Sequence, residues 1–444
     1  MSELIVLGLS HKTAPLELRE RLALTEGRAA GVMTDLTAEA AIAEATVLST
    51  CNRTEIYLFA ADPVEAESLA LSALSRQAGT PPTELTPRLY SLRAGDAVRH
   101  LFEVTAGLDS MIVGEAEIQG QVKRAHQLAL VEGASGPVLG RLFHGASAAA
   151  GRARAETGIG EKGVSISSVS VEAAARKLGD LTVRRALVVG AGDTASQVAR
   201  VLERRGARTV YIANRHFDRA RELAGRFGGE AVRMDGLRGQ LEAADLVISA
   251  TNSPHHLIDP ELLEPVMKAR GDRPILLFDL AVPRDIDPEV RAIAGVSVSD
   301  IEDIQEIVER NAGSREAESV RAKRVLENGA GRFEQWLASL EVLPTVVALR
   351  EAADEIARRV LTENEAKWND LTAADRARLE TVARTIVSRI LHHPTVRLKQ
   401  QAGSDDVYRK VDALQELFGL GPETGPEVDD RATVIPIRPE KRES

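Results

Sequence analysis

A single cysteine, Cys51, occurs in 444 residues. An internal disulfide is therefore impossible, and the only special chemistry its sulfur offers is that of one thiol. Aromatic residues make up 3% of the chain, too few for a stacking platform that grips single-stranded nucleic acid. No apolar run approaches the roughly 18 residues that a membrane-spanning helix needs. Basic residues do not dominate: 56 Lys and Arg stand against 66 Asp and Glu, for a net charge of −10. That balance argues against a general nucleic-acid binder and still permits a local basic patch. The opening Met1-Ser2-Glu3 is acidic and leads straight into a strand, so no secretory leader is expected. With one cysteine, the reducing cytoplasm is the expected compartment.

What is present suits a multidomain globular protein, with 44% hydrophobic and 27% charged residues and length enough for two to three domains. Residues 1–155 mix strands (3–9, and 45–59 interrupted at Cys51) with helices after Pro15, over 96–102 and over 117–132, an α+β pattern. From 163 to 300, strands at 185–189, 209–213, 245–250 and 275–280 alternate with helical stretches. That alternation predicts a Rossmann-type doubly wound parallel sheet. The segment 301–420 reads as all-helical. No proline falls between Pro288 and Pro344, so one long helix is expected through Ile304 to Trp336, weakened by Gly313, Gly329 and Gly331. Beyond it, Leu349, Ile356 and Val360, and then Leu379, Val382, Ile386 and Ile390, form apolar stripes. Such stripes suit pairing with a second copy, or a self-contained bundle. Residues 421–444 hold four prolines and many charges and read as a disordered tail.

Two segments carry chemistry. Cys51 follows the apolar run Ala45-Thr46-Val47-Leu48 at a predicted strand-to-loop junction, where catalytic groups often lie. Arg53, two residues on, is a fixed cation expected to favour the thiolate. The alternative is a small buried hydrophobe. The turn Gly190-Ala191-Gly192-Asp193-Thr194-Ala195 joins a strand to an amphipathic helix, and its glycines let backbone amides approach a pyrophosphate. The next strand ends in Ala213-Asn214-Arg215, where an NAD site would usually place an acid for the ribose 2′-hydroxyl. An amide and a guanidinium suit a 2′-phosphate, which favours NADPH; the alternative for Arg215 is an ordinary surface charge.

Val6-Leu7-Gly8-Leu9-Ser10-His11-Lys12-Thr13-Ala14-Pro15, Ser49-Thr50-Cys51-Asn52-Arg53, Gly107-Leu108-Asp109-Ser110-Met111-Ile112-Val113-Gly114-Glu115 and the glycine turn occur in this order and spacing. Together they closely resemble the glutamyl-tRNA reductase family from residue 5 to about 420. The resemblance implies three domains: a catalytic and tRNA-recognition domain, an NADPH domain and a helical domain that forms a homodimer. It also implies the reaction, in which glutamate esterified to its tRNA is reduced with NADPH to glutamate-1-semialdehyde, the first step of five-carbon tetrapyrrole (porphyrin and haem) synthesis. Cys51 would be the nucleophile and carry a thioester. Thr50, Asn52 and Arg53 would contact substrate, with Arg53 facing the glutamate carboxylate or, alternatively, a structural acid such as Glu55. Ser110, Glu115, Ala116, Glu117 and Gln121 fall on the segment that resembles the glutamate-binding loop. At Glu117 the family pattern has glutamine, so an amide donor is lost and a charge gained. His100 aligns with a histidine the family needs, as general base, general acid or packing residue. His11 is expected to shape the loop near Cys51.

Other features are weaker. His255-His256 and His392-His393 lack metal-ligand spacing, and no metal site is predicted. Basic candidates for tRNA are Arg152, Arg154, Lys162, Arg184, Arg185, Arg321, Lys323 and Arg324, each equally readable as solvated surface. An unstable aldehyde product makes handover to an aminomutase a plausible further partnership. Two rivals stand beside this expectation. One is a dehydrogenase of shikimate type that reduces a small ketone and uses Cys51 only structurally. The other is a regulator that binds tRNA or NADPH without turnover.

Overall fold

A computed structural model of the chain describes residues 2–160, 165–207, 209–271, 273–309, 316–365 and 371–420. Lys162, Gly313 and the predicted tail lie outside them. Among the described residues ten strands form two sheets. The first is antiparallel, in the order β2-β3-β1-β4: β1 (Glu3–Ser10), β2 (Ile42–Ser49), β3 (Arg53–Ala60) and β4 (Tyr90–Arg93). Strand β1 is almost wholly buried, and its continuous apolar run Leu4-Ile5-Val6-Leu7 is what a strand covered on both faces requires. The Pro137–Glu156 helix packs nearby and starts on a side chain from this sheet. Glu44 on β2 accepts from the amides of Val138 (2.9 Å) and Leu139 (2.7 Å), two donors the helix itself cannot pair.

The second sheet is parallel throughout, in the order β10-β9-β8-β5-β6-β7: β5 (Arg185–Val189), β6 (Thr209–Asn214), β7 (Glu230–Arg233), β8 (Leu246–Ser249), β9 (Ile275–Asp279) and β10 (Val296–Ser299). The order reverses between β5 and β8, a doubly wound sheet whose crevice opens at the carboxyl ends of those strands. Its core includes Val188, Ile212, Ile248 and Phe278, and continues without a break to Leu16, Met111 and Ile112 of the N-terminal part. Cys51 packs on the edge of this shared core.

The chain divides into two compact units, Met1–Phe333 and Glu334–Ser444. Both sheets belong to the first. In the second, the helices Leu343–Glu363, Ala373–Gln400 and Asp405–Phe418 close on a small core of Val342, Val346, Leu398 and Val407. Ile356, Val360, Val382, Ile386 and Ile390 of the predicted stripes are exposed.

The single long helix expected over 304–336 is described as two, Ile301–Glu309 and Glu316–Glu341, with 310–315 outside the described residues. Gly329 and Gly331 do not interrupt the second. A Cβ on Gly329 would stand 2.7 Å from the Phe102 ring and 3.0 Å from Ala149. The missing side chain is what lets this helix approach the N-terminal domain so closely, and the packing outweighs glycine's poor helix propensity, a cost of about 1 kcal/mol.

Candidate active site

Between β2 and β3 the chain reverses over Thr50 to Asn52. The Thr50 amide donates to the Arg53 carbonyl (2.8 Å), and the Thr50 hydroxyl accepts from the amides of Asn52 and Arg53 (both 3.2 Å). Thr50 therefore fixes the turn that presents Cys51. Asn52 is buried; its carbonyl accepts from the His11 amide (2.8 Å), while its side-chain oxygen finds no partner among the described residues. His11 is held neutral, lowered to about 4 by burial and then by Arg53.

Arg53 does not face the thiol. Only 2% exposed, it donates from Nη1 to Glu55 (2.6 Å) and from Nη2 to both the carbonyl (2.5 Å) and the carboxylate (3.0 Å) of Asp109. Lys12 pairs with the same Asp109. Arg53 thus has the structural acid partner named as its alternative, because Arg53, Glu55 and Tyr57 alternate on one face of β3 and meet there. Glu55 is fully buried and accepts from Arg53, Tyr57 (2.5 Å), Tyr90 and His100 Nε2 (2.8 Å). Burial opposes its charge, but Arg53 and then His100 keep the carboxyl ionised well below the usual range. An ionised carboxylate only accepts, so His100 Nε2 carries the hydrogen and Nδ1 is left for proton transfer. Among the described residues no hydrogen bond joins His100 to Cys51.

The cation that does reach the Cys51 turn is Arg19. Its Nη1 donates to the Cys51 carbonyl (3.2 Å), its Nε to Ala14 (3.3 Å) and its Nη2 to Glu302 (3.1 Å). Cys51 itself is half-buried. Burial, then Glu115 and Glu117, push its thiol up to about 12, and Arg19 offsets this only in part. The expectation of a thiolate favoured by Arg53 is therefore corrected: that guanidinium is spent on Glu55 and Asp109, and the largest charge effects on the thiol come from two acids.

Those acids lie on the 107–121 segment. Buried Ser110 bonds to Glu115, whose carboxyl is raised to about 7 by burial, against that bond, with Glu117 adding to the rise. Arg154 holds the segment from behind, donating to the carbonyls of Gly114 (2.9 Å), Ala106 (3.2 Å) and Glu115. Ala116 is exposed. Glu117 accepts from Thr194 Oγ1 (2.9 Å), Gln197 Nε2 (3.2 Å) and, more distantly, Gln121 Nε2 (3.5 Å). It therefore faces the nucleotide turn.

That turn fits a dinucleotide. At Gly190, φ is +119° and a Cβ would stand 2.3 Å from the Ala250 carbonyl oxygen, so only glycine is admitted. Beside Gly192 the space is open. The helix Asp193–Arg204 begins there, with its first amides unpaired along the helix and Ala195 buried beneath. Asn214 bonds to the His216 carbonyl (3.2 Å) and Arg215 is exposed at the end of β6. Asp193 pairs with Arg124 (2.6 Å) across the domain boundary.

The basic candidates are largely engaged. Arg154 serves the loop described above, Arg184 donates to Leu178 (3.0 Å), Arg321 pairs with Glu318 (3.0 Å) and Lys323 with Glu103 (3.2 Å). Arg324 is exposed and Arg152 half-buried. Sequence reasoning named Glu55 only as an alternative partner of Arg53, and missed Tyr90, Asp109 and Arg19. Only Glu55 carried a readable signal, the Arg-x-Glu-x-Tyr alternation on a buried strand.

Three family models match the chain: "Glutamyl-tRNAGlu reductase, N-terminal domain" over residues 7–157, "Shikimate / quinate 5-dehydrogenase" over 172–307 and "Glutamyl-tRNAGlu reductase, dimerisation domain" over 321–420. The glutamyl-tRNA reductase of Magnetococcus marinus is 39% identical over 418 residues, 94% of this chain and 99% of that one. That of Pelobacter propionicus is 40% identical over 419 residues, 94% and 96% of the two chains. The solved structure of glutamyl-tRNA reductase from Methanopyrus kandleri covers 95% of this chain and 100% of its own, at 32% identity and a TM-score of 0.51. With its antiparallel and doubly wound sheets, its helical third part and these near-full-length relatives, the chain belongs to the glutamyl-tRNA reductase family.

Proposed function

We propose that this protein reduces glutamyl-tRNA(Glu) to glutamate-1-semialdehyde with NADPH, releasing tRNA, through a thioester on Cys51. It would thereby open the five-carbon route to tetrapyrroles. The observation that carries the reading is the position of Cys51, half-buried at the β2–β3 turn and packed against the core of the nucleotide domain.

An ester carbonyl is a poor hydride acceptor because its alkoxy oxygen donates electron density. Attack by Cys51 Sγ forms a C–S bond, breaks the bond to the tRNA ribose oxygen and leaves a more electrophilic thioester. The thiol must first lose its proton, and both acids beside it resist that. A substrate ammonium at Glu115 would supply the missing positive charge, so thiolate formation is coupled to binding. His100 Nδ1 is the candidate to move a proton to the departing ribose oxygen. Thr50 and Asn52 shape the pocket, Ser110, Ala116 and Gln121 line its approach, and Arg53 acts by fixing Asp109 and Glu55. Gly190, Ala191, Gly192, Asp193, Thr194 and Ala195 would hold the pyrophosphate, and Asn214 and Arg215 the 2′-phosphate. When bound, NADPH supplies hydride to the acyl carbon.

The working division is a catalytic domain over 1–155, a nucleotide domain over 163–300 and a helical segment over 301–420 that pairs two copies through its exposed apolar stripe. Cytoplasmic location, tRNA contacts through Arg152 and Arg324 and handover of the aldehyde to an aminomutase complete the reading. Among the described residues no helix is long and apolar enough to cross a membrane. The test is aldehyde formation from labelled glutamyl-tRNA and NADPH by wild type beside Cys51→Ser. Aldehyde from wild type alone supports the route, whereas equal activity removes Cys51 from it.

A further inference from the structure

The Glu117 carboxylate reaches out of the catalytic domain to the first turn of the nucleotide-binding helix. It accepts from Thr194 Oγ1 at 2.9 Å and, one turn on, from Gln197 Nε2 at 3.2 Å. Thr194 belongs to the glycine turn itself, and the unpaired amides of that turn are where a dinucleotide's phosphates would dock. The contact therefore does two opposed things. It ties the nucleotide helix to the segment that carries Glu115, over the Cys51 turn. It also sets a carboxylate beside the place where two further negative charges must arrive. The surrounding groups do not cancel it. Glu115 and the Cys51 thiol lie on the catalytic side and Asp193 on the helix side, and Arg124, the nearby cation, is paired with Asp193 at 2.6 Å. Among the described residues no Lys or Arg forms an ion pair with Glu117.

We propose that Glu117 is a positioning residue that clasps the nucleotide domain by the first turn of its leading helix, and that its charge opposes cofactor phosphates at that turn. This rests on the reading that the glycine turn holds NADPH. Burial, against the Thr194 bond and with Asp193 adding, raises the Glu117 carboxyl above its ordinary range. Its charge is thus lost at higher pH than that of a free carboxylate, and wild-type affinity for NADPH should rise as that charge is lost. Glutamine keeps an acceptor for Thr194 and removes the charge; alanine removes both.

The test measures NADPH binding by fluorescence on the full-length protein from pH 8 downward, for wild type, Glu117→Gln and Glu117→Ala, with turnover alongside. At pH 8 Glu117→Gln should bind NADPH roughly five- to tenfold more tightly than wild type, the scale of one charge at a helix terminus. The gap should narrow as pH is lowered and the wild-type charge is lost. At saturating NADPH the alanine variant should lose turnover by about tenfold, and glutamine should restore most of it. Equal NADPH affinity of wild type and Glu117→Gln at pH 8 overturns the charge effect, and an alanine variant as fast as glutamine overturns the clasp. Failure of wild type to bind NADPH at all defeats the underlying reading and this proposal together.

Discussion

Two residues apart, Arg53 and Cys51 sit in opposite electrostatic worlds. Around Arg53 the strong charges are matched: Glu55 receives four donors, Asp109 is shared between Arg53 and Lys12, and of these groups Lys12 is the one largely exposed. Around Cys51 the balance is left open: burial, Glu115 and Glu117 raise the thiol, and Arg19, which is itself tied to Glu302, offsets them only in part. The difference separates frame from reaction chamber. A matched buried network gains nothing from a ligand, whereas an acidic pocket beside a protonated thiol is completed by a substrate that brings a positive charge.

Four substitutions would break or sharpen this contrast. Cys51→Ser should lower turnover by on the order of a thousandfold or more, as loss of a nucleophile does, while thermal unfolding stays near wild type. On the matched side, Arg53→Ala should destabilise the N-terminal part by about 3–5 kcal/mol, because Glu55 and Asp109 would be left without their main counter-charge; denaturant unfolding measures it. On the open side, Glu115→Gln should move two readouts in opposite directions. The thiol loses its strongest acidic neighbour, so alkylation by iodoacetamide at pH 8 should speed up by about tenfold per unit of lowered pKa. Binding of glutamyl-tRNA should weaken, because the ammonium loses its counter-charge. The same carboxyl protonates as pH falls through about 7, so wild-type kcat/KM should drop on that side, and Glu115→Gln should lack this limb. Smallest of the four, Arg154→Ala should cost about 1–3 kcal/mol by leaving three loop carbonyls short of a donor.

The same contrast explains what was legible in the chain. Alternating strands and helices, and the glycine turn, are local patterns, so the doubly wound sheet and the β2–β3 turn can be read directly. Of the partners of Arg53, Glu55 can be read in this way and Asp109 cannot. Asp109 lies 56 residues away and Tyr90 comes from a different strand, so charge alone suggested a ligand for the guanidinium where the fold supplies its own acids. Nor does sequence reveal that Arg19, on the Leu16–Leu22 helix, reaches the Cys51 carbonyl, since only the packing of that helix beside the turn brings them together. Gly329 was misread for a like reason: propensity is local, and the Phe102 ring that requires glycine there is 227 positions away in the chain.

The central claim is that the open, acidic side of the turn is where an acyl group is carried on sulfur. The direct measurement mixes stoichiometric glutamyl-tRNA, labelled in its glutamate, with enzyme lacking NADPH, and follows label on the protein. The account predicts label on wild type that peptide mapping places at Cys51, that hydroxylamine releases, and that Cys51→Ala never acquires. Free tRNA and aldehyde formed on adding NADPH, with no labelled protein at any time before it, would contradict it.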